Sequence, residues 1–492
     1  MLPPRVFDLA NVTRVAVALL VFVIVPLPSR AQGGLSLQQA IDRAQRESFG
    51  ARAAISTRDA ARQRDRAFGA RLLPQLSVGG DLPIYNRSII PVLQPDGSTL
   101  FRAQQQNEAR LNMRVTQQLP MTGGNLFVES SLARLQISGE QDVRNWSSTP
   151  FRVGLTQDLL RSNSQAWNSR EQGLQIDAAE RQFLEAREDL AIETSNAYFD
   201  HYAARMTLEN AVNNAAINDT LFTLNKGRYE VGKIGENDLL QNELVLLRSR
   251  NALNNARLEF DRTLAALRLR LNLPVGAPVT IEVSGEVPTL RADTALAVAQ
   301  ALRNRAEVTV QELQTVQAKR RVNEARRNSG FGARLQASVG YNQSASDLDL
   351  AYRDLRNAQR FSLAVDMPIL QWGARSADIE AAKAEENRAE SNRRLAREEL
   401  MQEAHFAALQ LEQSRSQLEL SAKADTVANK RFEVAKNRYI IGRIGIDNLF
   451  IAQNEKDQAL QQYVQSLRGY WLAHYRLRRT TLYDFVEGRA IR

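Results

Sequence analysis

His201, His405 and His474 are the only imidazoles in 492 residues, and no cysteine accompanies them. Disulfide frameworks and thiolate metal sites are closed off, and no nucleophile–base pair can be picked out. His201 and His405 fall at non-equivalent points of two helical segments, which reads as placement on solvated helix faces. No GxGxxG, P-loop or HExxH pattern occurs. The chain therefore reads as a non-enzyme, and neither a cofactor nor a metal is expected.

What does recur is a pair of stretches, "GRYEVGKIGENDLLQNE" at 227–243 and "NRYIIGRIGIDNLFIAQNE" at 437–455. Set 210 residues apart, they match at Arg228/Arg438, Tyr229/Tyr439, Gly232/Gly442, Ile234/Ile444, Gly235/Gly445 and Leu239/Leu449. Glycine supplies the left-handed or open backbone that a tight reversal requires, so each motif predicts a turn between helices. Asp238 and Asp447 follow these turns closely, where carboxylates complement a helix N-terminus.

The elements that position these turns are themselves duplicated. The 210-residue offset holds from Thr156 through both motifs, while "LPQLSVG" at 73–79 matches "LQASVG" at 335–340 at an offset of 261, as does Ala40-Ile41 with Ala301-Leu302. The first unit thus carries a 51-residue surplus, which includes the Gly123-Gly124 turn of an added hairpin. After a signal segment at 1–31, the first repeat covers 32–272. It comprises a helix at about 35–70, about four strands within 73–160, a long helix 164–230, the turn 231–235 and a return helix 236–272. A proline-rich linker, read as a small surface strand or loop, occupies 273–290. The second repeat, 291–492, has a helix to about 329, two strands within 333–370, a long helix 374–440, the turn 441–445 and a return helix 446–487.

At 1.5 Å per residue each long helix reaches about 100 Å and needs a lateral partner. Ile176, Ala179, Phe183, Ala186 and Leu190 predict a coiled-coil seam in the first unit. Ala404, Ala408, Leu411 and Leu418 hold a weaker one in the second, interrupted by Arg415. The strands alternate instead: Phe361, Leu363, Val365, Met367 and Ile369 lie on one face, and Leu111, Met113 and Val115 behave alike. Segments near ten residues long, apolar on one face and polar on the other, suit a membrane barrel.

Residues 1–31 show Arg5 and Arg14, an apolar run from Val15 to Val25, and Ser29 and Ala31 ahead of a cut. No cysteine follows that cut to carry a lipid. The net charge of +9 falls to +7 on losing Arg5, Arg14, Arg30 and Asp8. Arginines interleaved with acids, as in "RQFLEAREDL", describe solvated helix faces, and no nucleic-acid partner is inferred.

The signal segment, the duplicated strand-then-helix units and the paired "RYxxGxxG" turns together resemble the TolC family of outer-membrane efflux factors, over essentially the whole mature chain. The resemblance implies an α+β membrane protein. It would be a homotrimer whose transmembrane β-barrel, set in outer-membrane lipid of a Gram-negative-type bacterium, continues as a long periplasmic α-helical barrel. It implies an exit duct served by a periplasmic adaptor (membrane fusion protein) and an inner-membrane transporter. That family's chains give four strands each, twelve in all, whereas six are read here. The turns resemble the adaptor-docking tips, which maps that role onto Val231, Gly232, Ile234, Gly235, Ile441, Gly442, Ile444 and Gly445. Lys233 and Arg443 stand where the family often has leucine. The family's gate bonds map onto Asp238 and Tyr439, with Arg443 one residue from the matching arginine position. The acidic constriction falls on Asn448 and Ile451, leaving Asp447 or Asp238 to supply a carboxylate ring. A periplasmic coiled-coil scaffold, or an adaptor-like protein without a pore, is the rival reading; it leaves the alternating strands unused.

Overall fold

The computed structural model describes residues 34–138, 142–285, 287–288 and 290–491, so the expected signal segment lies outside the described residues. Two helices open the described residues, α1 (Leu37–Glu47) and α2 (Phe49–Arg71), followed by four strands, β1 (Gln75–Leu93), β2 (Thr99–Leu119), β3 (Gly124–Ser138) and β4 (Val143–Leu159). Next come the long α3 (Ser164–Glu230) and its return α4 (Glu236–Arg270). The second unit repeats the order with α5 (Thr294–Asn304), α6 (Ala306–Asn328), β5 (Gly332–Ala345), β6 (Arg356–Asp366), α7 (Ala374–Ile440) and α8 (Ile446–Thr481). A two-residue ladder, β7 (Tyr483–Asp484) with β8 (Arg489–Ala490), ends the described chain.

The opening helix of each unit is split where the apolar pattern runs on. Ser48, in extended conformation, ends α1 and caps α2 by accepting from the Ala51 amide; Arg305 makes the same break between α5 and α6. A helix break leaves amides without partners, and here side chains supply them. The α6 start is capped from outside, because the Ala306 amide donates to Glu185 Oε1 at 2.9 Å. These breaks also correct the repeat's register. Leu37 and Thr294, Phe49 and Ala306, and Gln75 and Gly332 each stand 257 apart, so Ala40 answers to Ala297 and not to Ala301. All four of Ala40, Ala44, Ala297 and Ala301 are buried, one turn apart, which is why a four-residue slip still matched in sequence.

The six strands form one antiparallel sheet in chain order, β1 to β6. Its register puts one apolar row across five strands, Leu76, Val115, Val128, Val153 and Val339. The next row runs Leu126, Leu155, Ala337 and Phe361. The opposite face is ionic: Glu129 lies between Arg114 and Arg152, bonded to the second at 2.7 Å, and Arg334 meets Asp158 at 2.7 Å. Apolar side chains such as Leu76, Val78, Phe361 and Val365 remain exposed in the single chain. No described helix is long and apolar enough to cross a membrane.

Packing around the long helices centres on the end of the linker. Tyr198 and Phe199 of α3 pack with Leu267 of α4 and Leu271 at its C-terminal cap, Leu411 of α7, and Leu467, Tyr470 and Leu477 of α8. Ile281 of the proline-rich segment joins this core and bridges to Leu35, while residues such as Val275 in the same segment remain exposed. The expected α7 residues Ala404, Ala408, Leu411 and Leu418 are buried; Ser414 fills the gap, and Arg415 turns out to bond Glu412 at 2.6 Å. In α3 the expected seam from Ile176 to Leu190 is only half-buried, and Phe183 lies under the Arg58 guanidinium of α2 at 4.3 Å. The deeper stripe is further down, at Ala204, Ala211, Asn218 and Asn225, each seven residues apart.

Candidate functional site

At the far end of the helices the two Gly-x-x-Gly motifs build the same turn. Gly232 and Gly442 have φ of +69° and +72°, the left-handed region. The Gly232 amide bonds the Tyr229 carbonyl and the Lys233 amide the Arg228 carbonyl, both at 2.8 Å. The Gly442 and Arg443 amides repeat this with Tyr439 and Arg438 at 3.0 and 2.8 Å. This is a Schellman closure, which satisfies the last carbonyls of each long helix. The second glycines differ in kind: Gly235 and Gly445 are extended and stand as N-caps of α4 and α8, with no side-chain cap bond. Their helix starts are instead acidic, with Glu236 and Asp238 on one and Asp447 on the other, as the helix dipole favours.

Val231 and Ile441 project outward, about two-thirds exposed, at 67% and 64%. Lys233, Arg443, Asp447 and Asn448 are exposed as well, and Ile234 is half-buried. Ile444 instead packs with Leu221, Phe432, Tyr439, Ile446 and Leu449, a small core that fastens α3 to the α7–α8 turn. The two turns are therefore not equivalent, although their sequences are.

Tyr439 is buried against α3, and its hydroxyl makes a reciprocal pair with Asn225. It accepts from Nδ2 at 2.8 Å and donates to Oδ1 at 3.1 Å. Arg228 covers the ring at 5.6 Å and donates to the Ile440 carbonyl at 3.2 Å. The bond to Asp238 that the resemblance implied is not the one formed here, because Asn225 already fills both the donor and the acceptor capacity of the hydroxyl. Asp238 accepts at its backbone carbonyl from Asn242 at 2.6 Å, and Asp447 takes the Gln241 side chain at 2.8 Å. Asn225 was missed by sequence reasoning, yet its seven-residue spacing from Ala204, Ala211 and Asn218 is a signal that could have found it.

Polar chemistry nearer the core is structural. Buried Glu188 accepts from Arg478 Nε at 3.1 Å, and Arg478 also bonds Asp484 at 2.8 Å. Burial holds the Glu188 carboxyl above its ordinary range, and Arg478 opposes it only in part. His201 is not on a solvated face, as had been expected: it is buried, with Nδ1 3.2 Å from Thr263 Oγ1. His474 is buried too, and burial pushes both imidazoles down to about 4. His405 is exposed. Among the described residues no group of three metal-ligating side chains converges.

Residues 294–481 match the family model described as outer membrane efflux protein. No curated protein matches the chain in sequence. Among solved structures, the fold is similar to the CmeC outer membrane channel of Campylobacter jejuni. Identity is 16% over 90% of this chain and 85% of that one, with a TM-score of 0.63. It is similar to the outer membrane protein VceC of Vibrio cholerae, at 14% identity over 90% of this chain and 95% of that one, with a TM-score of 0.64. The open-state MtrE outer membrane channel of Neisseria gonorrhoeae gives 16% identity over 90% and 88%, with a TM-score of 0.61. The match to the outer membrane efflux protein model thus covers α5 to α8, and the same order of elements is repeated in the first half of the chain.

Proposed function

We propose that the protein is the outer-membrane exit duct of a tripartite efflux or type I secretion system. It would conduct substrates passively from a periplasmic adaptor and an inner-membrane pump. One observation carries this reading: a sheet with a continuous apolar face leads directly into two 67-residue helices that reverse at matched turns. The sheet faces lipid outside and water inside, and the helices extend the water path across the periplasm. Three copies close the conduit, as the family resemblance implies.

The exposed apolar knobs Val231 and Ile441, with Gly232, Ile234, Gly235, Gly442, Ile444 and Gly445, form the docking tip for the adaptor. The Tyr439–Asn225 pair holds the two helical turns of one chain together and so holds the tip narrow. Asp238 and Asp447 supply carboxylates near the tip, with Asn448 and Arg443 beside them. Like charges gathered around one axis repel when ionised, which favours cations at such a constriction. In planar bilayers the purified protein conducts ions; a chain that leaves detergent as a soluble monomer and passes no current sinks this reading.

A further inference from the structure

The sheet of one chain is open, and its two edges have the chemistry of a joint. β1 and β6 each have a neighbour on one side only. An unpaired strand edge at membrane depth is not tolerated, because no water reaches its amides and carbonyls. Every neighbouring pair in the sheet is antiparallel, and the strand number is even. β1 therefore leaves the helical domain and β6 returns to it, so a second copy can lay its β1 against β6 without reversing direction. The apolar rows run through β1 and β2 as well as through the later strands, so the first hairpin belongs to the same lipid-facing wall. β6 has 11 residues, the length of a membrane-crossing strand.

We infer that β6 of one copy pairs with β1 of the next, so that the closed wall of three copies holds eighteen strands, three times the six of one chain. The twelve implied by the resemblance would leave the β1–β2 hairpin outside the wall. A barrel's width grows with strand number, and one of this size leaves an aqueous channel. This inference rests on the trimeric duct reading and adds the seam and the width.

Disulfide trapping tests it cleanly, because the chain has no cysteine of its own. Neighbouring antiparallel strands hold opposed Cα atoms about 4.5–5.5 Å apart, within the span a disulfide bridges. Ser77→Cys on the ionic face of β1 is combined in turn with cysteine at Arg356, Ala358, Arg360, Ser362, Ala364 and Asp366, the positions of β6 that share that face. The full-length protein is oxidised in outer membranes. At least one pair should convert the monomer to a reducible ladder ending at trimer. The native mass of the detergent-extracted wild type reports copy number separately. A trimer in which no β1 pair links, or in which the β6 cysteines link instead to Asn125→Cys on β3, overturns the eighteen-strand wall and leaves the duct reading standing. A protein that forms no oligomer overturns both.

Discussion

Gly232 and Gly235 look alike in sequence and differ in what the backbone asks of them. Only the first of each pair is left-handed, and a Cβ at any of the four tip glycines meets open space. The cost of substitution is therefore conformational and not steric. Gly232→Val and Gly442→Val should each cost about 1–2 kcal/mol, while Gly235→Ser and Gly445→Ser should be close to neutral. Denaturant melts followed by helical circular dichroism will separate the two classes, and export should fall only in the first. Tyr439→Phe removes the hydroxyl and strands Asn225 in a buried place, at a cost of about 1–3 kcal/mol. Tyr439→Phe and Asn225→Ala should each raise bilayer conductance, and the double variant should show no further gain. Conductance left unchanged in both would remove this pair from the gate. The sequence displayed Tyr439 and both glycines, because a repeat exposes them. It did not display the Tyr439 partner: the seven-residue spacing marks Asn225 as a buried position of α3 but does not say which residue of α7 it meets.

At the scale of elements, two buried imidazoles tie stability to pH. Both are held neutral in the fold, with values near 4, against about 6.5 for a histidine in an unfolded chain. Above that higher value neither state binds the proton and the effect vanishes. As pH falls from about 6.5 toward 4 the unfolded chain takes up protons that the fold refuses, so stability declines across that window. His474→Phe should flatten the decline, read from melting temperature against pH; an unchanged slope would count against a buried neutral His474. Pattern reading recognised helix and strand where the period was strong, as in Phe361, Leu363 and Val365. It missed the breaks at Ser48 and Arg305, because the polarity pattern continues through both and only the cap bonds reveal them. It placed about four strands within 73–160 but expected them near ten residues long, whereas β1 and β2 run to 19 and 21.

For the whole molecule, the two faces of the sheet make opposite demands. Val153→Arg places a charge in the apolar row and should destabilise the inserted state by about 2–4 kcal/mol, whereas Arg152→Gln on the ionic face should leave insertion intact. Heat-modified mobility of the membrane-extracted protein on gels distinguishes them. Strands β1 and β2 carry a further consequence, because they outrun the rest of the sheet. Their pairing continues from Ile84 opposite Glu108 to Leu93 opposite Thr99, while β3 stops opposite Gln105. At about 3.3 Å per residue the 19 residues of β1 reach roughly twice the depth of a bilayer's hydrocarbon core. In the proposed duct the Gln94–Ser98 bend stands as a mast above the cell, where a short epitope grafted beside Gly97 would be visible to an antibody on living bacteria.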